Sequence, residues 1–373
     1  MIITKRFVLS SLLIMCVLTS AVCAQDEADV WQFSASVIGE GTDNRDSSAE
    51  GVSNFDMFIN LRLDLDMDFE TSLLDLYYAP YYRYRSDPSD LQNDTELQHD
   101  LGVVARRDLK TVNLRLNERF SYTDDPSIQQ TGSTLRRDSS YSLNNIMLGG
   151  RYLISQIMDI DLSVRNSIKR YDDDVRATQA DEDSTSAELS LWRRIQTTVA
   201  GYLLAGTAMY SYDDTTIDRG FDSVYAGVGL EKSFSRELRG GVRAGYTAVS
   251  YNDDGLDDND SPFVQASIVS AMSAVSRVTG IIGYSLRDSD IYPFSSQEAT
   301  AFSIKWDWDT TPLITIGAFA MYRIGTYDLE TVPDEITSAT TISDGDESTI
   351  VLEGKVQYKF NEMTSIMFLQ RYE

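Results

Sequence analysis

The most constraining feature of the sequence is an alternation of apolar and polar residues between Asn54 and Asp68, interrupted only at Phe58. Apolar side chains occupy every second position from Phe55 to Met67, and aspartate, asparagine and arginine fill most of the positions between them. A period of two residues places these side chains on opposite faces of a β-strand, whereas a helix would carry charge on all sides. The segment therefore predicts a long strand with one apolar and one polar face.

The same alternation recurs along the chain and predicts seventeen strands. They cover residues 31–38, 54–68, 72–85, 94–107, 111–122, 139–154, 157–171, 184–194, 198–212, 221–234, 238–251, 262–273, 276–287, 298–308, 313–327, 348–360 and 363–373. Most are longer than the five or six residues usual in soluble sheets, and they are long enough to cross a bilayer at a tilt. The pattern indicates an all-β protein.

The connections between these strands alternate in length. Short connections lie near Glu70, Leu109, Gln156, Gln196, Arg236, Ala274, Thr311 and Asn361. Long, acidic connections cover residues 39–53, 86–93, 123–138, 172–183, 213–220, 252–261, 288–297 and 328–347. Short turns at one rim and long loops at the other are typical of a transmembrane antiparallel up-and-down β-barrel, with periplasmic turns and outer loops. A soluble β-sandwich is the alternative, but it rarely keeps one rhythm of loop length throughout.

The number of barrel strands is not settled by this count. Single-chain bacterial barrels normally contain an even number of strands, because both chain ends lie on the periplasmic side. Seventeen strands would leave the last one ending outside. We therefore predict a barrel of eighteen strands whose final strand is missing from residues 25–373, with sixteen strands and one misassigned segment as the alternative.

The N-terminus predicts export from the cytoplasm. Two basic residues precede an apolar run over residues 7–18, which is too short for a permanent membrane helix, and small residues follow up to position 24. Residues 1–24 are predicted to form a cleaved signal peptide, and residues 25–373 to form the barrel. Both cysteines of the sequence lie within the predicted signal peptide, so the mature chain would contain no thiol.

Charge and residue usage exclude several functional classes. The formal net charge of −26 disfavours nucleic acid as a partner, because phosphate backbones are bound by basic surfaces. The single histidine, His99, falls on the apolar face of its strand beside Leu97 and Leu101, away from polar partners that could make it catalytic. No glycine-rich phosphate loop joins a strand to a helix. We predict a protein that is not an enzyme, with no cofactor and no metal.

Tyrosines followed by acidic residues recur where strands lead into the long loops. These tyrosines are Tyr122, Tyr171, Tyr212 and Tyr251. Amphipathic rings suit the headgroup level of a membrane, so the recurrence predicts an aromatic girdle. Further girdle candidates are Tyr82, Tyr84, Tyr284, Tyr322 and Tyr327 at this rim, and Phe69, Trp192, Phe234, Trp306, Trp308 and Phe360 at the other. Tyr171 and Tyr251 have the parity of the polar face and would need a bulge to reach lipid.

The polar faces of the strands supply candidate pore-lining residues of both signs. They are Arg62, Arg83, Arg115, Arg165, Arg243, Arg277, Arg323, Asp64, Asp100, Asp161, Glu231 and Glu353. Walls of mixed charge create transverse fields in water-filled pores, although the same charges could simply form ion pairs that solvate a barrel interior. A barrel of sixteen to eighteen strands is wide enough for an aqueous channel.

The alternation, the hairpin period of about 40 residues and strand exits such as SYTDD and SYNDD together resemble a β-barrel porin family of Gram-negative bacteria. Members of that family often accompany exopolysaccharide-export systems. The resemblance implies a location in the cell outer membrane and a passive aqueous channel for polysaccharide export or small-solute diffusion. Its partners would be outer-membrane lipid and polysaccharide or small solutes. A non-conducting surface barrel that acts through its acidic loops in adhesion or envelope structure is the alternative, and a soluble secreted β protein is a third possibility.

Overall fold

The structure is a computed structural model of one chain. It describes residues 31–42, 54–86, 94–123, 140–173, 177, 181–213, 218, 220–253, 256, 258–288, 294–327, 345–359 and 365–372. The predicted signal peptide lies outside these residues, as do most residues of the predicted long loops.

Alternating side chains form strands throughout the described chain. The strands are β1 (Trp31–Thr42), β2 (Asn54–Phe69), β3 (Ser72–Arg85), β4 (Thr95–Asp108), β5 (Val112–Thr123), β6 (Tyr141–Ser155), β7 (Met158–Tyr171), β8 (Glu182–Gln196), β9 (Val199–Tyr212), β10 (Phe221–Ser233), β11 (Leu238–Tyr251), β12 (Asn259–Ser273), β13 (Ser276–Asp288), β14 (Ser296–Thr311), β15 (Ile314–Tyr327), β16 (Gly345–Lys359) and β17 (Ser365–Tyr372). Each matches a predicted strand to within four residues at either end. The all-β prediction is confirmed.

Every strand pairs antiparallel with the next along the chain, from β1–β2 to β16–β17. This is the predicted up-and-down topology, in one barrel-like sheet. The described residues show no pairing between β17 and β1, so the sheet is open. Whether the closed barrel contains eighteen strands or sixteen stays a prediction.

The connections keep the predicted rhythm. Those after the even-numbered strands span two to five residues, whereas those after the odd-numbered strands span seven to seventeen. All short connections therefore lie at one rim, and all long ones at the other. In outer-membrane barrels the short turns face the periplasm, so we call the two rims periplasmic and outer.

The two faces of the sheet differ in chemistry. Large apolar side chains stay exposed on one of them, as with Leu61, Leu203 and Val228, which are 40%, 58% and 56% exposed. A continuous apolar surface of this kind is costly in water and is typical of a lipid-facing wall. We call it the outer face and the opposite, polar one the inner face. None of the described segments is a helix long and apolar enough to cross a bilayer.

Candidate channel wall

The strand registers place all twelve predicted pore-lining residues on the inner face. For example, Asp64 and Tyr77 occupy matching positions of β2 and β3, and Arg115 of β5 lies between Arg106 of β4 and Gly149 of β6. The placement follows from the period of two residues, which fixes a side chain's face once its strand is in register. That these residues line a conducting pore stays a prediction.

At least seven of the twelve residues lie in ion pairs of the inner face. Arg62 and Asp64 are 2.7 Å apart, and Arg115 contacts Asp161. The other three pair with residues outside the predicted set. Their partners are Asp56 for Arg83 at 2.7 Å, Arg119 for Asp100 at 3.0 Å, and Glu188 for Arg243 at 3.9 Å. Asp56 and Arg119 were outside the predicted set, but each has inward parity and lies two residues from the register partner of the residue it pairs with, so parity and register together identify them.

Glycines allow some of these pairs to span a whole strand. The Arg115 side chain of β5 crosses Gly149 of β6 to reach Asp161 of β7, and a Cβ at Gly149 would lie 2.3 Å from the Arg115 Nε. Lys355 of β16 crosses Gly317 of β15 in the same way and places its Nζ 3.0 Å from an Asp307 carboxylate oxygen. A side chain at either glycine would occupy the space of the crossing cation. Because these inner-face glycines have no side chain, they leave room for the charged side chains to lie flat against the wall.

Burial of the inner face changes from one rim to the other. Near the outer rim many of its side chains are almost fully buried, and Gln98, Val351 and Asp56 are 0%, 0% and 2% exposed. At the periplasmic end, inward residues such as Glu231 and Arg277 are exposed. A small apolar core of Phe221, Val249 and Tyr251 also lies at the outer end. Side chains of the inner face are thus more buried near the outer rim than near the periplasmic rim.

The aromatic girdle differs in part from its prediction. Tyr122 lies on the outer face, but Tyr171, Tyr212 and Tyr251 lie on the inner face, where strand pairing continues without the required bulge. Tyr251 packs against Phe221 instead. The registers also turn Trp192 and Tyr327 inward, while the outward positions hold Tyr82, Tyr84, Tyr284, Tyr322, Phe69, Trp306 and Trp308. Parity therefore decides orientation, and the recurring acidic sequence does not. Phe360 lies outside the described residues.

His99 lies on the outer face, as predicted. Its Nδ1 is 2.9 Å from the Tyr78 hydroxyl, and its ring lies between the rings of Tyr78 and Tyr122. The Tyr122 hydroxyl donates to Asp172 at 2.6 Å, beyond the end of β7. This group has the composition of an interfacial girdle, where polar atoms meet water and rings meet lipid.

Residues 30–373 match a family model described as "Putative beta-barrel porin 2". The chain belongs to this porin family. Membership accounts for nearly all of the chain beyond the predicted signal peptide and for every described strand. It places the protein in the outer membrane, in agreement with the exposed apolar face of the sheet.

Solved outer-membrane proteins are similar to this porin-family chain in general shape. The FrpB iron transporter from Neisseria meningitidis is 9% identical with a TM-score of 0.47, and the match covers 92% of this chain and 66% of the transporter chain. The ferric-catecholate import receptor Fiu from E. coli K12 is 12% identical, with a TM-score of 0.44 and coverages of 93% and 70%. A bacterial polysaccharide outer membrane secretin is 8% identical, with a TM-score of 0.41 and coverages of 90% and 100%. No curated protein matches the chain.

Proposed function

We propose that this porin-family chain forms a passive aqueous channel across the outer membrane, and that the twelve inward residues of the predicted set line it. One observation carries the proposal, namely that both signs of charge cover the inner face while apolar side chains cover the outer face. Such a wall is wet inside and lipid-compatible outside. Small solutes or polysaccharide would pass along it, with residues 1–24 removed as a signal peptide.

A specific observation favours a second candidate, a non-conducting barrel that acts through its acidic outer loops. Inner-face side chains near the outer rim are buried, and Gln98 and Val351 are inaccessible to solvent. A channel closed at that level would carry no current. Neither candidate requires a catalytic group, and membership of a porin family supports a protein that is not an enzyme.

Single-channel recording of the full chain in a planar bilayer separates the two candidates. The channel hypothesis predicts stepwise currents, with a shift towards cation selectivity in Arg115→Glu because a wall cation becomes a second carboxylate near Asp161. Lys232→Glu is the control, since Lys232 has outward parity near the periplasmic rim and should leave ion selectivity unchanged. A heat-modifiable, folded barrel that passes no current would overturn the channel hypothesis and support the second candidate.

A further inference from the structure

The inner face contains a recess in addition to its ion pairs. It measures about 310 Å³ and lies against strands β8 to β14. Its lining includes Glu188, Tyr225, Arg243, Phe263 and Gln265. The recess therefore combines two aromatic rings with charged and amide groups, which is the usual make-up of a small-ligand site.

Two glycines leave room for the two rings of the recess to lie against the wall. A Cβ at Gly206 would lie 2.4 Å from the Tyr225 ring, and a Cβ at Gly245 would lie 2.5 Å from the Phe263 ring. The rings meet edge to face, with centroids 6.2 Å apart. Both are only half-buried, so they leave apolar surface accessible in the recess. Flat apolar surface of this kind can pack against the C–H face of a sugar ring.

Arg243 adds a positive charge to this surface and has no carboxylate within hydrogen-bonding distance among the described residues. Its nearest carboxylate oxygen, on Glu188, is 3.9 Å away, which is beyond hydrogen-bonding distance. The Arg243 Nε is buried without any hydrogen-bond partner, although the side chain as a whole is 41% exposed. Because the buried Nε is out of reach of a ligand in the lumen, contact with an acceptor falls to the terminal nitrogens of the guanidinium, which donate in a planar fork. Arg243 can thus donate hydrogen bonds to an acceptor that enters from the lumen.

A second cation lacks a carboxylate nearby. Arg165 of β7 has only the Met147 sulfur at 4.0 Å as a polar neighbour among the described residues, and it lies within electrostatic range of Tyr225. The charged side chains that line the recess are Glu188, Arg243 and Arg287, so positive charge exceeds negative charge there even before Arg165 is counted. This excess favours an anionic ligand over a neutral one.

We propose that this recess binds a sugar unit that carries a carboxylate, and this inference rests on the proposed channel. The Arg243 guanidinium pairs with the carboxylate, because its planar fork matches that group. The rings of Tyr225 and Phe263 pack against the apolar face of the sugar. Glu188 and Gln265 hydrogen-bond to its hydroxyl groups. The site would favour acidic glycans over neutral ones during passage.

The test uses glucuronate and glucose as probes with the full, refolded chain. Binding is measured by tryptophan fluorescence in detergent, which needs no current, and by block of single-channel current. Glucuronate should bind at least about tenfold more tightly than glucose, since a charge-assisted pair adds that much affinity. Arg243→Gln should remove this preference and leave glucose binding unchanged, whereas Tyr225→Leu should weaken both sugars.

Arg277→Gln is the matched control, because Arg277 shares the inner face and the charge but does not line the recess. An equal loss of glucuronate binding in both arginine variants would overturn the site in favour of general charge attraction. Equal binding of glucose and glucuronate, or tighter binding of glucose 6-phosphate, would overturn the carboxylate assignment. Fluorescence binding without current would retain the recess and reject the channel, whereas current without binding would do the reverse.

Discussion

Two arginine–aspartate pairs of the inner face should differ sharply in their contribution to stability. Arg83–Asp56 and Arg62–Asp64 have the same nitrogen–oxygen distance of 2.7 Å. The side chains of the first pair are 11% and 2% exposed, whereas those of the second are 46% and 23% exposed. Geometry is therefore matched and burial is the variable.

Asp56→Asn removes the carboxylate charge that accepts two hydrogen bonds from the buried Arg83 guanidinium. Breaking a buried pair in this way costs about 3–5 kcal/mol, because water does not reach the remaining cation to replace the lost carboxylate. Asp64→Asn breaks an exposed pair and should cost about 0–1 kcal/mol, since water solvates Arg62. The two costs differ by about 2–5 kcal/mol, so the folding equilibria of the two variants should differ by about 30-fold to 4,000-fold.

The assay is denaturant unfolding of the barrel in phospholipid vesicles, followed by tryptophan fluorescence and extrapolated linearly to zero denaturant. The double variant Arg83→Gln with Asp56→Asn should recover much of the loss, because the uncompensated charge is gone. Equal losses in Asp56→Asn and Asp64→Asn would refute the reasoning from burial. So would a double variant that is less stable than Asp56→Asn alone.

Two more predictions concern a glycine and a loop carboxylate. Gly149→Ala should lower the free energy of unfolding by about 1–3 kcal/mol, because the new Cβ collides with the Arg115 side chain. Gly354→Ala is the control and should not lower it, because a Cβ there meets no atom within 4 Å. Urea midpoints that drop equally in both variants would contradict this prediction. Burial raises the pKa of Asp181, although its carboxylate accepts a hydrogen bond of 2.7 Å from the Tyr171 backbone N–H. The folded state then keeps this proton to a higher pH than the unfolded state, so the free energy of unfolding falls as pH rises through the pKa of Asp181. Asp181→Asn has no such proton, so the urea midpoint of the variant should rise relative to that of the parent from pH ~4 upwards. A gap that is constant or shrinks with pH would reject this sign.

Much of the fold can be predicted from the sequence because a strand's period of two is a local property. Residues such as Leu61 and Arg62 are assigned to opposite faces by parity alone, and the length of the next turn then fixes the register. The inward placement of all twelve candidate residues comes from the same rule. Strand ends are less certain, because β1 extends to Thr42 through residues without clear alternation.

The recess could not be predicted in this way, since it depends on neighbours in other strands. Tyr225 looks like an ordinary residue of inward parity until the register sets it beside Gly206. Phe263 likewise gains its place from Gly245. The signal was present as an aromatic residue and a glycine in matching positions of adjacent strands. Recognising this signal requires the register between adjacent strands. Composition and the periodicity within one strand do not give that register.

The gradient of burial along the inner face gives the two sides of the membrane different access to the interior. Inner-face side chains are more accessible near the periplasmic rim than near the outer rim. A membrane-impermeant reagent supplied from the periplasm would reach side chains at the level of Glu231. The same reagent supplied from outside would not reach Gln98 or Val351, because both side chains are buried. The direction from which a solute arrives, and not its size alone, would then decide how far it enters.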